Sequence, residues 1–345
     1  MTDHAWIAPV VLVGLWVLSG LWTLVTAPGF RVKDQHVLIT GATKGLGLAL
    51  AKRYAKAGAR LTLVGRSKER LETARREIEE AVGANTEIFL AEADITDYEQ
   101  AARMIAQANE FHSRPTDHIV CAARVAVRSR LMDTELSVLR AAMDLNYMAV
   151  INVVKNALPP MIEAGVRGRV VLVSSTDAFH ATSDSLLATS TDQAIKGLAE
   201  TLRNELLLYG MSTHIFYPGS IRSNASEPAV PSKGDAPSTP VPDNSVADYA
   251  TFHDCNSSAS GAHFDKLART LTGGVSMGYV TITNGVMGFV LRGLSNGVVP
   301  RKNSPFELMI MPLCMIVGCF ASAFAKEPSQ SQKESAVARA LASSA

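Results

Sequence analysis

Residues 37–47 read Val37-Leu38-Ile39-Thr40-Gly41-Ala42-Thr43-Lys44-Gly45-Leu46-Gly47. Four β-favouring residues run straight into a turn with three glycines, and a helical pattern follows. A glycine turn between a first strand and a first helix lets backbone approach a pyrophosphate. The helix N-terminus adds unpaired N–H groups and a partial positive charge. Glycine also serves ordinary turns, so the order strand, glycines, helix carries the reading. Working outward, short apolar runs alternate with helical ones. Strands are expected at 36–40, 60–64, 87–91, 118–122, 169–173 and 213–217. Helices are expected at 45–58, 67–82, 97–111 and 186–209, with a long helical region at 136–164 broken near Pro159-Pro160. This alternation predicts an α/β fold: a doubly wound parallel sheet, Rossmann-like, with helices on both faces.

The end of the second strand selects the cofactor. A carboxylate there accepts from the ribose hydroxyls of NAD. This chain has Val64-Gly65-Arg66 instead, with Lys44 in the loop opposite. Two cations and no carboxylate favour a 2′-phosphate, hence NADPH. The alternative is that both are solvated surface charges.

The glycine spacing, Thr-Gly-x-x-x-Gly-x-Gly, resembles that of the short-chain dehydrogenase/reductase family. Asp94-Ile95 after strand three is similar to the family's adenine contact, and Asn146 in Met143-Asp-Leu-Asn-Tyr147 to its helix-four asparagine. Ser174-Ser175 ends strand five, and Pro218-Gly219 follows strand six. The resemblance spans residues 34 to 222. It implies cofactor contacts at Gly41, Thr43, Lys44, Gly45, Gly47, Arg66, Asp94, Ile95, Pro218 and Gly219. It implies roles near the reacting carbon for Ser175 and Asn146. Within the family the chain most resembles the 3-ketodihydrosphingosine reductases, on three features. These are the apolar stretches at both ends, Leu63-Val-Gly-Arg-Ser67, and Gly197-Leu-Ala-Glu200. That resemblance implies reduction of a long-chain 2-amino-3-ketone at the cytosolic face of the endoplasmic reticulum.

Ketone reduction in this family uses a tyrosine to protonate the alkoxide and a lysine four residues later to lower its pKa. The spacing puts both on one helix face. The tyrosine stands thirteen residues beyond the serine. Counted from Ser175, that position is Ala188, and the lysine position is Asp192. No tyrosine lies anywhere between Ser175 and Glu200, so no slip of register supplies one. The resemblance therefore leaves two readings open: a working ketoreductase, or a catalytically impaired relative that binds NADP(H) or a partner without turnover. His180, Asp177 and Asp184 are the nearby titratable groups, with His180 the candidate substitute acid. Lys196 is one turn beyond Asp192, and an i, i+4 ion pair is the default for that couple. The family's Asn-x-Ala-Gly after strand four reads Val120-Cys-Ala-Ala123 here, with Arg124 next. Ala123 puts a methyl where glycine lets backbone approach the cofactor.

Composition places the chain at a membrane. The 345 residues are 47% hydrophobic and only 19% charged, against about 25% for an average soluble domain. Mean hydropathy is +0.13. Residues 5–30 carry no charge and include Trp6, Trp16 and Trp22. As a helix that run is about 39 Å long, enough to cross a hydrocarbon core. No Lys or Arg precedes it, and it is too long for a signal-peptide core. Arg31 and Lys33 after it place the rest of the chain on the cytosolic side. A second uncharged run, 308–325, stays open between a membrane span and a buried or interfacial helix. Residues 271–291 read as a core strand and a packed helix. The expected order is anchor 1–33, NADP-binding domain 34–223, long loop or lid 224–263, the domain's C-terminal part 264–304, apolar membrane helix 305–326 and disordered tail 327–345. Asn224-Ala-Ser and Asn256-Ser-Ser are chance glycosylation patterns if the domain is cytosolic. Net charge is +1, with no long basic block, which counts against nucleic acid as a partner. The partners expected are a long-chain lipid ketone, the membrane and further copies of the chain as a homo-oligomer. Cys121, Cys255, Cys314 and Cys319 lack disulfide or zinc-ligand spacing, so no metal is expected.

Overall fold

A computed structural model describes residues 29–83, 86–125, 130–181, 185–219 and 261–294. Their strands are β1 His36–Thr40, β2 Arg60–Gly65, β3 Ile88–Glu92, β4 His118–Cys121, β5 Arg169–Val173, β6 Ser212–Tyr217 and β7 Thr281–Thr283. They form one sheet in the order β3-β2-β1-β4-β5-β6-β7, parallel at every pairing. The helices are α1 Gly45–Lys56, α2 Lys68–Val82, α3 Tyr98–Phe111, α4 Leu136–Met143, α5 Ala149–Glu163, α6 Leu186–Leu206, α7 Gly261–Ser276 and α8 Gly285–Leu294.

All five residues of β1 are buried. A sheet covered on both faces calls for such continuous apolar strands rather than alternating ones. One face packs Val37, Ile39, Leu61 and Leu63 against α1, α2 and α7. The other packs Leu38, Ile119, Val170 and Leu172 against α3, α5 and α6. From β1 the chain first builds outward through β2 and β3, then returns to place β4 on the other side. This reversal opens a crevice at the carboxyl ends of β1 and β4, where α/β sheets hold ligands. Side chains start the second and third helices: Ser67 Oγ accepts from Arg70 N, and Asp97 Oδ1 accepts from Glu99 N and Gln100 N.

Three expectations change. The prolines do not break the long helical region: α5 contains Pro159 and Pro160 and runs on to Glu163, although each proline removes one backbone donor. The interruption falls earlier, at a π-helical turn, Asp144–Met148. Helix α7 opens at Gly261, inside the last residues of the stretch read as a loop. Residues 271–291 hold the end of α7, then β7 and most of α8, so the strand and packed helix are there with a helix end before them.

Among the described residues no helix is long and apolar enough to cross a membrane. Residues 308–325 and the tail lie outside the described residues, as do residues 5–28 of the first apolar run and most of 224–263. The last two residues of the first run are held at the amino edge of the sheet. Gly29 N donates to Ser276 O, Arg169 Nη2 donates to Gly29 O, and Phe30 packs on Tyr54 with ring centres 5.1 Å apart.

Candidate functional site

The glycine loop is built for close backbone approach. Gly41 has φ +67°, and a Cβ there would meet Ala123 Cα at 2.7 Å. A Cβ on Gly47 would collide with the carbonyl oxygen of Gly41. Gly45 also has positive φ. The loop thus folds back on itself and lies against the end of β4, which only glycine permits. Thr40 fixes that contact: its Oγ1 accepts from both Ala122 N and Ala123 N at 3.1 Å. Helix α1 starts without a side-chain cap and without an acidic residue in its first turn. Its first N–H groups and its dipole face the loop, a ready anion site. These residues fit the pyrophosphate of a nicotinamide dinucleotide.

The outer parts of the cradle surround the ends of β2, β3 and β6. Gly65 ends β2 beside Thr43, whose methyl lies 3.0 Å from where a Cβ would be. Arg66 and Lys44 are exposed on either side of that contact. Asp94 Oδ1 accepts from Thr96 N and Oγ1, while Ile95 is buried. Asn152 on α5 holds this turn from beneath, donating to Ile95 O and Thr96 O at 3.0 Å. The sequence reading missed Asn152; a polar residue among the apolar ones of α5 was its only signal. Gly219 N donates to Asn284 Oδ1, and Thr176 N to Pro218 O. Those bonds tie the end of β6 to β5 and to the start of α8.

Asn146, Ser175 and Asp192 lie on three elements around the ends of β4 and β5. Asn146 sits in the π-helical turn and clasps Val125 through both backbone groups at 2.8 Å. Its Nδ2 also reaches Thr191 Oγ1 at 3.1 Å. Such turns recur at functional sites. Asp192 on α6 faces Ser174 and Ser175. The Ser175 hydroxyl donates to Asp192 Oδ2 at 2.7 Å, and Ser174 Oγ to Oδ1 at 3.2 Å. Ala188 is buried one turn earlier and offers no proton.

The partner of Asp192 is not Lys196. Arg124 Nη2 bonds both carboxylate oxygens at 3.0 Å, and its Nη1 donates to Ser174 O at 2.7 Å. Lys196 instead lies over the Phe179 ring, 5.7 Å from its centre. The reason is burial. Asp192 is 3% exposed, and a buried carboxylate takes a planar fork donor over a flexible ammonium. Of the other candidates, His180 is exposed, Asp177 N donates to Ser175 Oγ at 3.0 Å, and Asp184 lies outside the described residues. Burial pushes the Cys121 thiol up to about 12, so it stays protonated and inert. No group of three or more possible metal ligands is found among the described residues.

The chain is similar to known proteins. The 3-ketodihydrosphingosine reductase of Cryptococcus neoformans is 25% identical over 307 residues, 86% of this chain and 84% of its own. The dehydrogenase/reductase SDR family member 7B of Xenopus tropicalis is 31% identical over 225 residues, 65% of this chain and 72% of its own. A short-chain type dehydrogenase/reductase from Mycobacterium ulcerans superposes with a TM-score of 0.52 at 27% identity, over 56% of this chain and 70% of its own. The short chain dehydrogenase family model matches residues 35–233, the stretch that carries the glycine loop, Asn146, Ser175 and Asp192. By that match and by the fold and cradle that accompany it, the chain belongs to the short-chain dehydrogenase family.

Proposed function

We propose that the protein is an NADPH-dependent ketoreductase of sphingoid-base synthesis. It reduces 3-ketodihydrosphingosine or a related long-chain 2-amino-3-ketone, at the endoplasmic reticulum membrane, with this domain facing the cytosol. The observation that carries the reading is the intact cradle: Gly41 and Gly47 packed without room for a Cβ, under an uncapped helix start. The relatives named for 3-ketodihydrosphingosine reduction support the substrate class. The uncharged run at 5–30 supports the membrane. The cradle backbone holds the pyrophosphate, Arg66 and Lys44 meet a 2′-phosphate, and the Asp94-Ile95 turn faces the adenine. The bound cofactor supplies the hydride.

A second reading has its own observation. The Ser175 hydroxyl has one proton, and it is donated to Asp192. With Ala188 at the position where the resemblance implies the tyrosine, no family group is left to orient or protonate a ketone. On that reading the chain binds NADP(H) without turnover. One experiment separates the two. The full chain in detergent is melted with and without NADPH, and NADPH oxidation is followed with 3-ketodihydrosphingosine. Stabilisation with ketone-dependent oxidation supports the reductase. Stabilisation without oxidation supports the silent binder, and neither response rejects both.

A further inference from the structure

We propose that Arg124 is a catalytic residue of this site, donating to the substrate's carbonyl oxygen where the family uses a tyrosine. The proposal rests on the ketoreductase reading. Each of the other polar groups at the reacting end is occupied. Asp192 accepts at both oxygens from Arg124 and at one each from Ser174 and Ser175. Ser175 has given its proton to that carboxylate. Asn146 is spent on Val125 and Thr191.

Arg124 is the exception. A guanidinium has five N–H donors, and three are committed here: one to Ser174 O and two to Asp192. The remaining two, on Nε and Nη1, have no partner among the described residues. The side chain is 20% exposed, so the guanidinium is partly open to solvent. Three anchored bonds hold the planar group in one orientation. A donor fixed in advance, where charge will develop, costs no reorganisation during reaction.

The step balances without a protein acid. Hydride from the reduced nicotinamide forms the new C–H bond at the carbonyl carbon, and the C=O π pair moves to oxygen. Arg124 keeps its protons and bonds the resulting alkoxide. That oxygen takes a proton from water, and the hydroxide left is neutralised by bulk buffer. The cofactor is oxidised and the ketone reduced. Since guanidinium does not titrate near neutrality, the rate of the chemical step carries no acid ionisation between about pH 6 and 9.

The test uses the full chain and a paired variant, Arg124→Gln/Asp192→Asn, which keeps hydrogen bonding while removing both charges. Removing one such donor typically lowers kcat by about 10²–10³-fold. That loss is expected here with KM little changed, together with a wild-type kcat flat over the same pH range. A second readout needs no turnover: calorimetric binding of dodecanoate, an oxyanion on an alkyl chain, to the NADP-loaded protein. It should weaken roughly tenfold or more in the variant. Ketone turnover within about threefold of wild type in the variant overturns the assignment alone. So does unchanged dodecanoate binding, or a single acid ionisation in the wild-type kcat profile. Absence of turnover in the wild type overturns the ketoreductase reading and the assignment with it.

Discussion

Arg124 and Asp192, 68 residues apart in sequence, form a two-oxygen ion pair at 3.0 Å beside Ser174 and Ser175. The pair makes the lysine position dependent on a residue at the end of another strand. Restoring the family's acid and its lysine by Ala188→Tyr and Asp192→Lys alone should therefore fail. It sets an ammonium against the Arg124 guanidinium and takes the acceptor from Ser174 and Ser175. Breaking a buried pair costs about 3–5 kcal/mol. The double variant should melt well below wild type. Adding Arg124→Leu should recover the melting temperature and raise ketone turnover above the double variant. A double variant that melts like wild type would show that the pair is not formed.

Cofactor choice tests the outer cradle. Arg66→Asp replaces an exposed cation with the carboxylate that NAD binders carry. The thermal shift given by NADPH should shrink and that given by NADH should grow, with the affinity ratio moving by roughly tenfold or more. An unchanged ratio would assign Arg66 to solvent.

The fold was legible because its signals are local. The strand, glycines and helix of residues 37–47 are consecutive, and the apolar runs of the parallel sheet are continuous. That Asp192 belongs beside Ser175 was also legible, since Ser175 and Gly197-Leu-Ala-Glu200 bracket it in sequence. Its partner was not. The i, i+4 rule pointed to Lys196, but it describes exposed helix faces, and Asp192 is on the buried one. What selects Arg124 is proximity across the crevice, which no spacing encodes. Asn152 and Thr40 were missed for a related reason. Each acts by bonding backbone of a distant loop, and such a partner is invisible until the sheet is assembled. The break within residues 136–164 was misplaced because proline is a visible breaker in sequence and a π-helical turn is not.

Asn152 gives a third prediction. It is 6% exposed and supports the carbonyls of Ile95 and Thr96. Asn152→Ala leaves the buried Ile95 carbonyl without its donor, a loss of about 1–3 kcal/mol. The denaturant midpoint should fall accordingly, and NADPH should bind more weakly because the adenine-side turn is loosened. A fall in stability with unchanged NADPH affinity would detach that turn from the cofactor site.

The last prediction concerns the opposite edge of the sheet, where strand after strand begins with a buried polar group. His36, His118 and His214 are each nearly inaccessible. Burial pushes His36 and His118 down to about 3 and His214 to about 4, helped in all three by neighbouring charge from His112, Arg114, Arg169 or His214. An ordinary histidine titrates near 6.5. Between those values the unfolded chain binds protons that the folded chain refuses. Their stabilising effect is therefore complete above about pH 6.5 and is lost as pH falls toward 4, at up to about 1.4 kcal/mol per pH unit for each histidine. Melting temperature should drop steeply between about pH 6.5 and 5, before most carboxylates titrate. His118→Phe removes one proton acceptor while keeping a ring against Tyr54, now 5.9 Å away. It should flatten that slope by about a third. An identical slope in the variant would mean that His118 is not held neutral by the fold, and that acid sensitivity arises elsewhere.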